Sequence, residues 1–549
     1  MRRAEMIQQL QAAAMWDICI IGGGATGLGI AVDAASRGFK TLLVEKFDFA
    51  KGTSSRSTKL VHGGVRYLQQ GNIKLVMEAL KERGILIKNA PHLVKNQAFI
   101  VPNYKWWEGP FYGIGLKVYD WMAGSLGFGP SEFLSREETL ELAPTLDADG
   151  LRGGVLYHDG QFDDARLAIH LAMTAADNGA TIINYMSVDG LAKVNGKVCG
   201  VVLKDALGNS SSGSSSYEIK AKAVINATGV FTDSILKMDD AKAASLVTMS
   251  QGIHIVLDRD FLPSETAIMI PRTDDKRVLF AVPWHNKIIV GTTDTPVSSE
   301  KGHAFSHFSN EEPVALEEEI EFVLHHIQKY LTKDPVRSDI RSVFAGLRPL
   351  VKAHSKRTAA LSRDHLVTIS HSELITVTGG KWTTYRKMAE DVLEIAIPKA
   401  GLEDRECRTK DLHIHGYKRE TNFGRPLYYY GTDEEGIRSI ATSDKMMAEQ
   451  IHPMFPFIKA EILWAVRHEM CMKVEDFLSR RTRALLLDAK ASIESAPLVA
   501  GLMAKELGKD EAWIKNEIDG FNSIAKNYLP TSKNKQVTPS DRVNRADTN

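Results

Sequence analysis

The stretch Trp16–Tyr67 constrains the fold more than any other part of the chain. It reads WDICIIGGGATGLGIAVDAASRGFKTLLVEKFDFAKGTSSRSTKLVHGGVRY. An apolar strand over Ile18–Ile21 runs into Gly22, Gly24 and Gly27. A helix from Ala25 to about Ser36 follows and stops at Gly38, and a second strand, Thr41–Val44, ends at Glu45. Strand, glycine turn, helix and strand in that order form a βαβ unit of the kind that holds a dinucleotide. Gly22 permits the tight turn and Gly24 lets the backbone approach a pyrophosphate. Gly27 allows close helix–strand packing, and the helix start at Ala25 and Thr26 faces the phosphates. Glu45 stands where an acid accepts hydrogen bonds from the adenosine ribose. The six-residue glycine pattern alone is a weak signal. Its position between an apolar strand and a helix makes it a specific one.

The chain of 549 residues is long enough for roughly two to four domains. It carries no net formal charge, which argues against general nucleic-acid binding. Cys19, Cys199, Cys407 and Cys471 are far apart and form no CxxC pair, so we read them as reduced, expect no metal site, and expect a cytosolic compartment. The N-terminal segment MRRAEMIQQLQAAAMW lacks a signal-peptide core and reads as a short amphipathic helix. No run approaches ~18 apolar residues, so no spanning helix is expected and any membrane role is peripheral.

Beyond the first unit, residues 70–90 have helical spacing, with Leu75, Leu80 and Ile87 among the apolar positions. Residues 100–135 collect Trp106, Trp107, Phe111, Tyr112, Trp121 and Phe128 among glycines. Such a stretch suits a pocket lining, a membrane contact or, the reading the residues alone favour, a packed irregular core segment. A helix is predicted over Asp164–Asp177, then strands over Thr181–Tyr185, Gly190–Val194 and Val198–Leu203. Asn209–Ser216 reads as a hairpin tip, and Ala223–Asn226 as a strand ending in Ala227-Thr228-Gly229. Residues 245–300 alternate like an antiparallel sheet. Val314–Leu331 reads as a helix with Pro313 in its first turn, and the chain turns helical from about 410 to 528. The polar tail 531–549 reads as disordered.

Nucleotide-type and sheet-type segments are therefore interleaved. The expected architecture is α/β (α+β): a Rossmann-like FAD/NAD(P)-binding domain interleaved with an antiparallel-sheet substrate domain, and a C-terminal helical domain. The FAD-dependent oxidoreductase region spans 16–405. Its nucleotide segments are about 16–90, 163–235 and 340–400, and its sheet segments about 91–162 and 236–339. The helical domain covers 410–528.

The glycine fingerprint does not separate NAD from FAD. Ala227-Thr228-Gly229, after an apolar strand, resembles the late strand that lies near the dinucleotide in many FAD-binding flavoproteins, and this favours FAD. A third signal is Thr376-Val-Thr-Gly-Gly-Lys-Trp-Thr-Thr-Tyr-Arg386, where a strand ends at Gly379-Gly380 and a helix begins near Thr383. Glycines there let the backbone approach a ring, and a helix N-terminus stabilises negative charge on it.

Candidate substrate contacts are mainly basic. Arg66 and Tyr67 end the early loop, Arg348 precedes a proline, Arg363 lies in Leu-Ser-Arg-Asp, and Lys381 follows Gly380. Arginine holds a phosphate bidentately and lysine adds a point charge, so converging cations imply an anionic substrate. Any one of them alone reads equally as a solvated surface charge. His62 suits either the edge of a flavin or a loop-fixing role. His254 suits either a general base or a structural histidine.

The stretches HGGVRYL, GLRPL and GGKWTTYRK, with DICIIGGGATGLG, VINATG, FAVPWHNKIIVGTTDT and DFLSRRTRALLLD, resemble the FAD-dependent glycerol-3-phosphate dehydrogenase family across most of the chain. The resemblance implies a fold like that of D-amino-acid oxidases. It implies oxidation of sn-glycerol 3-phosphate to dihydroxyacetone phosphate by hydride transfer to flavin N5, with electrons passed to a membrane quinone. A glycerol-3-phosphate oxidase, with oxygen as acceptor and hydrogen peroxide as product, is the alternative. More distant rivals are an amine or amino-acid oxidase and a flavin-binding sensor.

By the same resemblance, Arg66, Tyr67, Arg348, Arg363 and Lys381 surround the substrate, and His254, Arg348 and Lys381 are the catalytic candidates. FAD contacts fall to Gly22, Gly24, Ala25, Thr26, Gly27, Glu45, Ser54, Ser55, Thr58, Lys59, His62, Gly63, Gly64, Val188, Ala227, Thr228, Gly229, Gly380, Lys381 and Thr383. The implied setting is peripheral attachment to the cytoplasmic membrane, with a homodimer also admitted and no nucleic-acid partner.

Overall fold

The computed structural model describes residues 1–64, 72–124, 127–208, 216–275, 277–297, 311–352 and 365–530. A short helix, α1 (Arg3–Ala12), precedes the first strand. It buries only Met6 and Leu10 and is fixed through Arg3, which donates to Asp205 at 2.6 Å and to the carbonyl of Asn184 at 3.0 Å. Then come β1 (Trp16–Ile21), α2 (Ala25–Ser36) and β2 (Thr41–Val44). β1 pairs in parallel with β2 on one side and with Ser216–Asn226 on the other. Ile18, Cys19 and Ile20 are wholly buried, as a central parallel strand covered on both faces requires.

α2 is buried on nearly every side because it lies between the sheet and two helices, Asp164–Asp177 and Tyr385–Lys399. Gly29 permits this approach, since a Cβ there would lie 2.8 Å from the Tyr385 ring. The sheet runs in the order His365–Ile369, Ile375–Gly379, Ser216–Asn226, β1, β2, Thr181–Ile183. A hairpin, Met186–Val194 and Lys197–Asp205, pairs antiparallel onto Ser216–Asn226.

Among the described residues a second sheet carries ten strands. Val247–Asp258 is central to it, pairing antiparallel with Lys287–Gly291 and with Ser342–Val351. Its far end holds Val94–Asn103, Gly153–Phe162 and the two-residue strand Leu60–Val61. So Leu60–Val61 and Ser342–Val351 belong to the second sheet, although the sequence boundaries put 16–90 and 340–400 with the nucleotide segments. The chain crosses between sheets inside those ranges, and no composition change marks the crossing.

Helices match the sequence periodicity where caps are strong. Asp164–Asp177 appears with the expected ends, capped by the Asp163 side chain. The expected 70–90 helix is α3 (Ile73–Asn89), capped by Asn72. The Val314–Leu331 helix is shorter, Glu317–Gln328, and Pro313 lies outside its first turn. The Glu319 carboxylate accepts from the Leu316 N–H at 3.0 Å and closes the helix start there. The C-terminal region is irregular from 410 to 427. Its long helices are Glu434–Ser443, Lys459–His468, Ala489–Leu507 and Glu511–Ala525. The tip at 209–215 and the tail at 531–549 lie outside the described residues.

The aromatic stretch at 100–135 is the clearest correction. It is not an irregular packed core but contains a regular amphipathic helix, α4 (Glu108–Ala123). Tyr112, Leu116 and Tyr119 face inward, while Phe111, Ile114, Val118 and Trp121 are 54, 65, 42 and 82% exposed. Trp106 and Phe133 beside it are 78 and 52% exposed. Glycines hide the helix from a propensity reading, yet Gly113 is required, because a Cβ there would sit 2.1 Å from the Phe133 ring.

Candidate active site

A cavity of about 720 Å³ lies between the two sheets, within the ~300–1000 Å³ range of ligand pockets. Gly22 adopts φ +110°, and a Cβ on it would lie 2.7 Å from the Ala227 carbonyl. The turn is therefore pressed against the strand ending in Ala227-Thr228-Gly229. Gly27 is closer still: a Cβ would lie 1.9 Å from the Gly22 oxygen. Glu45, at the end of β2, lines the cavity and accepts from the Gly23 N–H at 2.6 Å and the Phe47 N–H at 2.8 Å. Burial pushes its carboxyl upward, and those two donors oppose the shift. This bare glycine cradle, ending in an oriented acid, fits the pyrophosphate and ribose of FAD.

One wall of this part is the loop after β2. Ser54 Oγ accepts from the Ala25 N–H at 2.9 Å, so the loop is tied to the start of α2. Trp382 Nε1 donates to the Ser54 carbonyl at 2.8 Å, which joins the same loop to the Gly379-Gly380-Lys381 turn. Gly379 and Gly380 take φ +80° and +78°, and a Cβ on Gly380 would meet the Met388 sulfur at 2.3 Å. Thr383 Oγ1 accepts from the His62 N–H at 3.3 Å.

Thr58, His254, Thr292, Arg348 and Lys381 line the same cavity. His254 stands on Val247–Asp258, stacked on Phe344 with ring centroids 4.8 Å apart. Its Nε2 is 2.9 Å from Thr58 Oγ1. Burial first, then the Lys59 and Arg348 charges, hold the imidazole well below its usual pKa, so it is neutral near pH 7. Arg348, two positions from Gly346 on Ser342–Val351, donates through Nη2 to Thr292 Oγ1 at 3.0 Å and to the Thr293 carbonyl at 3.1 Å. Asp294 approaches Nη1 at 3.5 Å. The guanidinium lies across the neighbouring strand at Gly252, where a Cβ would sit 2.2 Å from Nη2. Thr292, Thr293 and Asp294 were not singled out from the sequence. Their dense hydroxyl and carboxylate pattern after an apolar strand was the available signal.

Two family models match the chain. One, described as FAD dependent oxidoreductase, matches residues 17–386, and the other, described as the C-terminal domain of alpha-glycerophosphate oxidase, matches residues 375–514. The mitochondrial glycerol-3-phosphate dehydrogenase of Homo sapiens is 40% identical over 546 residues, covering 93% of this chain and 73% of the human protein. The chain belongs to the FAD-dependent glycerol-3-phosphate dehydrogenase family. The Schizosaccharomyces pombe enzyme of the same name is 37% identical over 579 residues, covering 93% of this chain and 87% of its own. Among solved structures, glycerol-3-phosphate dehydrogenase from Bacillus halodurans complexed with FAD is 29% identical, with a TM-score of 0.77 over 96% of this chain and 97% of its own. An L-alpha-glycerophosphate oxidase from Mycoplasma pneumoniae, 17% identical with a TM-score of 0.54 over 73% of this chain and 99% of its own, shares the fold. The enzyme is thus an FAD-dependent oxidoreductase with a D-amino-acid-oxidase-like fold.

Most of the expected FAD positions of this family member reach the cavity. Gly22, Gly24, Ala25, Thr26 and Glu45 do, with Ser54, Thr58, His62 and Gly64 from the loop. Val188, Ala227, Thr228, Gly229, Gly380, Lys381 and Thr383 complete the wall. Four do not line it. Gly27 acts through packing against Gly22. Gly63 donates its N–H to the Tyr119 hydroxyl at 2.8 Å. Lys59 is wholly buried and bonds both Asp164 oxygens at 2.8 Å. Its Nζ also donates to the Ser55 carbonyl at 2.6 Å, and Ser55 is itself buried. An ammonium in that position is neutralised by the fold and is not offered to a phosphate. Arg66, Tyr67 and Arg363 lie outside the described residues.

Proposed function

We propose that the chain oxidises sn-glycerol 3-phosphate to dihydroxyacetone phosphate and passes the electrons to a membrane quinone. The observation that carries this reading is one cavity that contains both a dinucleotide cradle and, beside it, Arg348, Lys381 and His254. The human and Schizosaccharomyces pombe relatives are named glycerol-3-phosphate dehydrogenases, which supports the same substrate.

Arg348 and Lys381 hold the phosphate, and they stabilise negative charge developing on the C2 oxygen. By resemblance, Arg66, Tyr67 and Arg363 complete the cationic pocket. The neutral His254 accepts the C2 hydroxyl proton, aligned by Thr58. The nearby Arg348 and Lys59 oppose charge on the imidazole, which favours its passing that proton on to solvent. FAD, when bound, supplies the hydride acceptor. The interleaved nucleotide and substrate-sheet segments, followed by the helical 410–528 region, support a layout in which flavin and substrate lie side by side.

Two features support the quinone and the membrane. Part of the cavity wall is apolar: Phe99, Tyr112, Met269, Val278 and Phe280 line it. Tyr112 belongs to α4, whose opposite face exposes Phe111, Ile114, Val118 and Trp121. Large aromatics at that density on a surface helix suit the interfacial zone of a bilayer. Among the described residues no helix is long and apolar enough to cross a membrane, so attachment through this face is peripheral.

Anaerobic addition of glycerol 3-phosphate should bleach the bound flavin, while glycine and D-amino acids should not. No bleaching defeats the substrate assignment. Turnover should reduce a soluble quinone analogue much faster than it releases hydrogen peroxide, and the opposite ratio makes the enzyme an oxidase.

A further inference from the structure

The loop that walls the FAD cavity is held from the far side by the C-terminal helical domain. Asp48 is wholly buried in this loop. Its carboxylate accepts from Arg480 Nε at 2.5 Å and from Arg481 Nη1 and Nη2 at 2.7 and 3.0 Å. Three residues on, Lys51 donates to both Glu475 oxygens at 2.5 and 2.6 Å. Arg480 also donates to Glu475 and to Asp476, each at 2.9 Å. Further along, Arg56 donates to Glu312 at 2.8 Å, and Tyr528, in the helical turn Lys526–Tyr528, donates to the same oxygen at 2.8 Å.

Between these anchors the loop meets the nucleotide cradle. The Ala50 N–H donates to the Gly23 carbonyl at 2.9 Å, and Ser54 Oγ takes the Ala25 N–H. Lys51, Gly52, Thr53 and Ser54 line the cavity. Buried ion pairs add little net stability, because desolvation offsets the attraction, but they fix geometry and are costly to break on one side. A loop fixed before binding loses less entropy when its ligand arrives.

We propose that the C-terminal helical domain is a cofactor-retention element: through Glu475, Arg480 and Arg481 it pins the Asp48–Ser54 loop and thereby sets the affinity for FAD. The residues are positioning residues that act through the loop. By reciprocity, bound FAD strengthens docking of the domain.

The test uses the full chain, stripped of flavin and titrated with FAD by fluorescence quenching. Glu475→Gln should raise the FAD dissociation constant about tenfold, which is about 1.4 kcal/mol, and, because it breaks a buried pair on one side, it should also lower the flavin-free melting temperature. Lys51→Met removes the loop-side partner, leaves Glu475 paired with Arg480, and should give the same weakening. The control is Glu461→Gln. Glu461 is also buried in the domain and accepts from the Tyr429 hydroxyl at 2.6 Å, away from the loop. It should lower the melting temperature and leave FAD affinity within about twofold. Lys51 itself lines the cavity, so Glu475→Gln decides: unchanged FAD affinity in that variant overturns the proposal, and so does equal weakening by Glu461→Gln. None of these readouts depends on glycerol 3-phosphate, so failure here is separate from failure of the substrate reading.

Discussion

Thr58 Oγ1 lies 2.9 Å from Nε2 of His254, joining the nucleotide loop to the central strand of the second sheet. The threonine sets the orientation of an imidazole that burial keeps neutral. Replacing Thr58 by Val should lower kcat for glycerol 3-phosphate by about tenfold to a hundredfold while FAD stays bound. Thr58→Ser should recover most of the rate. Steady-state kinetics on flavin-loaded enzyme checks this, and full activity in Thr58→Val removes the hydroxyl from the site.

Arg348 is braced by Thr292 and Thr293 across Gly252. Arg348→Ala should reduce kcat/KM by about a hundredfold or more, roughly 3 kcal/mol, with an intact flavin spectrum. Lysine should rescue poorly, because it lacks the planar fork that two threonine oxygens hold. Unchanged kcat/KM would move the phosphate elsewhere in the cavity.

Gly27 packs against the Gly22 turn and does not line the cavity. Gly27→Ala places a methyl 1.9 Å from the Gly22 oxygen, which the turn relieves only by moving. Purified Gly27→Ala protein should be largely flavin-free and less stable by at least about 2 kcal/mol. Absorbance near the flavin bands and thermal melting both report on it.

His415 joins the C-terminal region to the helix Asp164–Asp177, with Asp177 at 2.6 Å and Asp433 at 3.0 Å. Burial lowers its pKa, but the two carboxylates raise it further, from 6.5 to about 9. The folded value lies above the unfolded one. The stabilisation is therefore complete below about pH 6.5 and fades as pH rises through about 9. The contribution is on the order of 3 kcal/mol. The melting temperature of His415→Gln should fall below wild type at pH 6 and approach it at pH 10. A pH-independent gap would assign His415 a packing role.

The exposed face of α4 should bind lipid. Changing Trp106, Phe111 and Trp121 together to Ser should release the protein from anionic vesicles in a flotation assay, with flavin bleaching by glycerol 3-phosphate unchanged. Retention on vesicles by the triple variant would place the membrane contact elsewhere.

Legibility in the sequence followed the range of the interaction concerned. β1, α2 and β2 were readable because their cues are local: apolar strand residues, glycines at fixed offsets, and Gly38 after the helix. Asp164–Asp177 was readable because it closes at Gly179, another local cue. α4 was not, because glycines and aromatics break the usual helix composition, and only the contact with Phe133 explains Gly113. Lys59 was expected among the FAD contacts by resemblance. Asp164, more than a hundred residues away in the chain, decided otherwise by burying and neutralising it.

The sequence alone determined the nucleotide cradle from Gly22 to Glu45, the FAD-type strand end at Ala227–Gly229, and the basic character of the substrate residues. These depend on backbone conformations and residue chemistries that a short segment dictates. Tertiary structure decided which residues share the cavity: Thr58 with His254, Arg348 with Thr292, and Ser54 with Trp382. It also decided that Arg480 and Arg481 reach Asp48, across more than four hundred residues. Such pairings follow from how two sheets and a helical domain close on one another. Their energetics, the desolvation of charges and the fixing of a loop, exist only once that closure has excluded water.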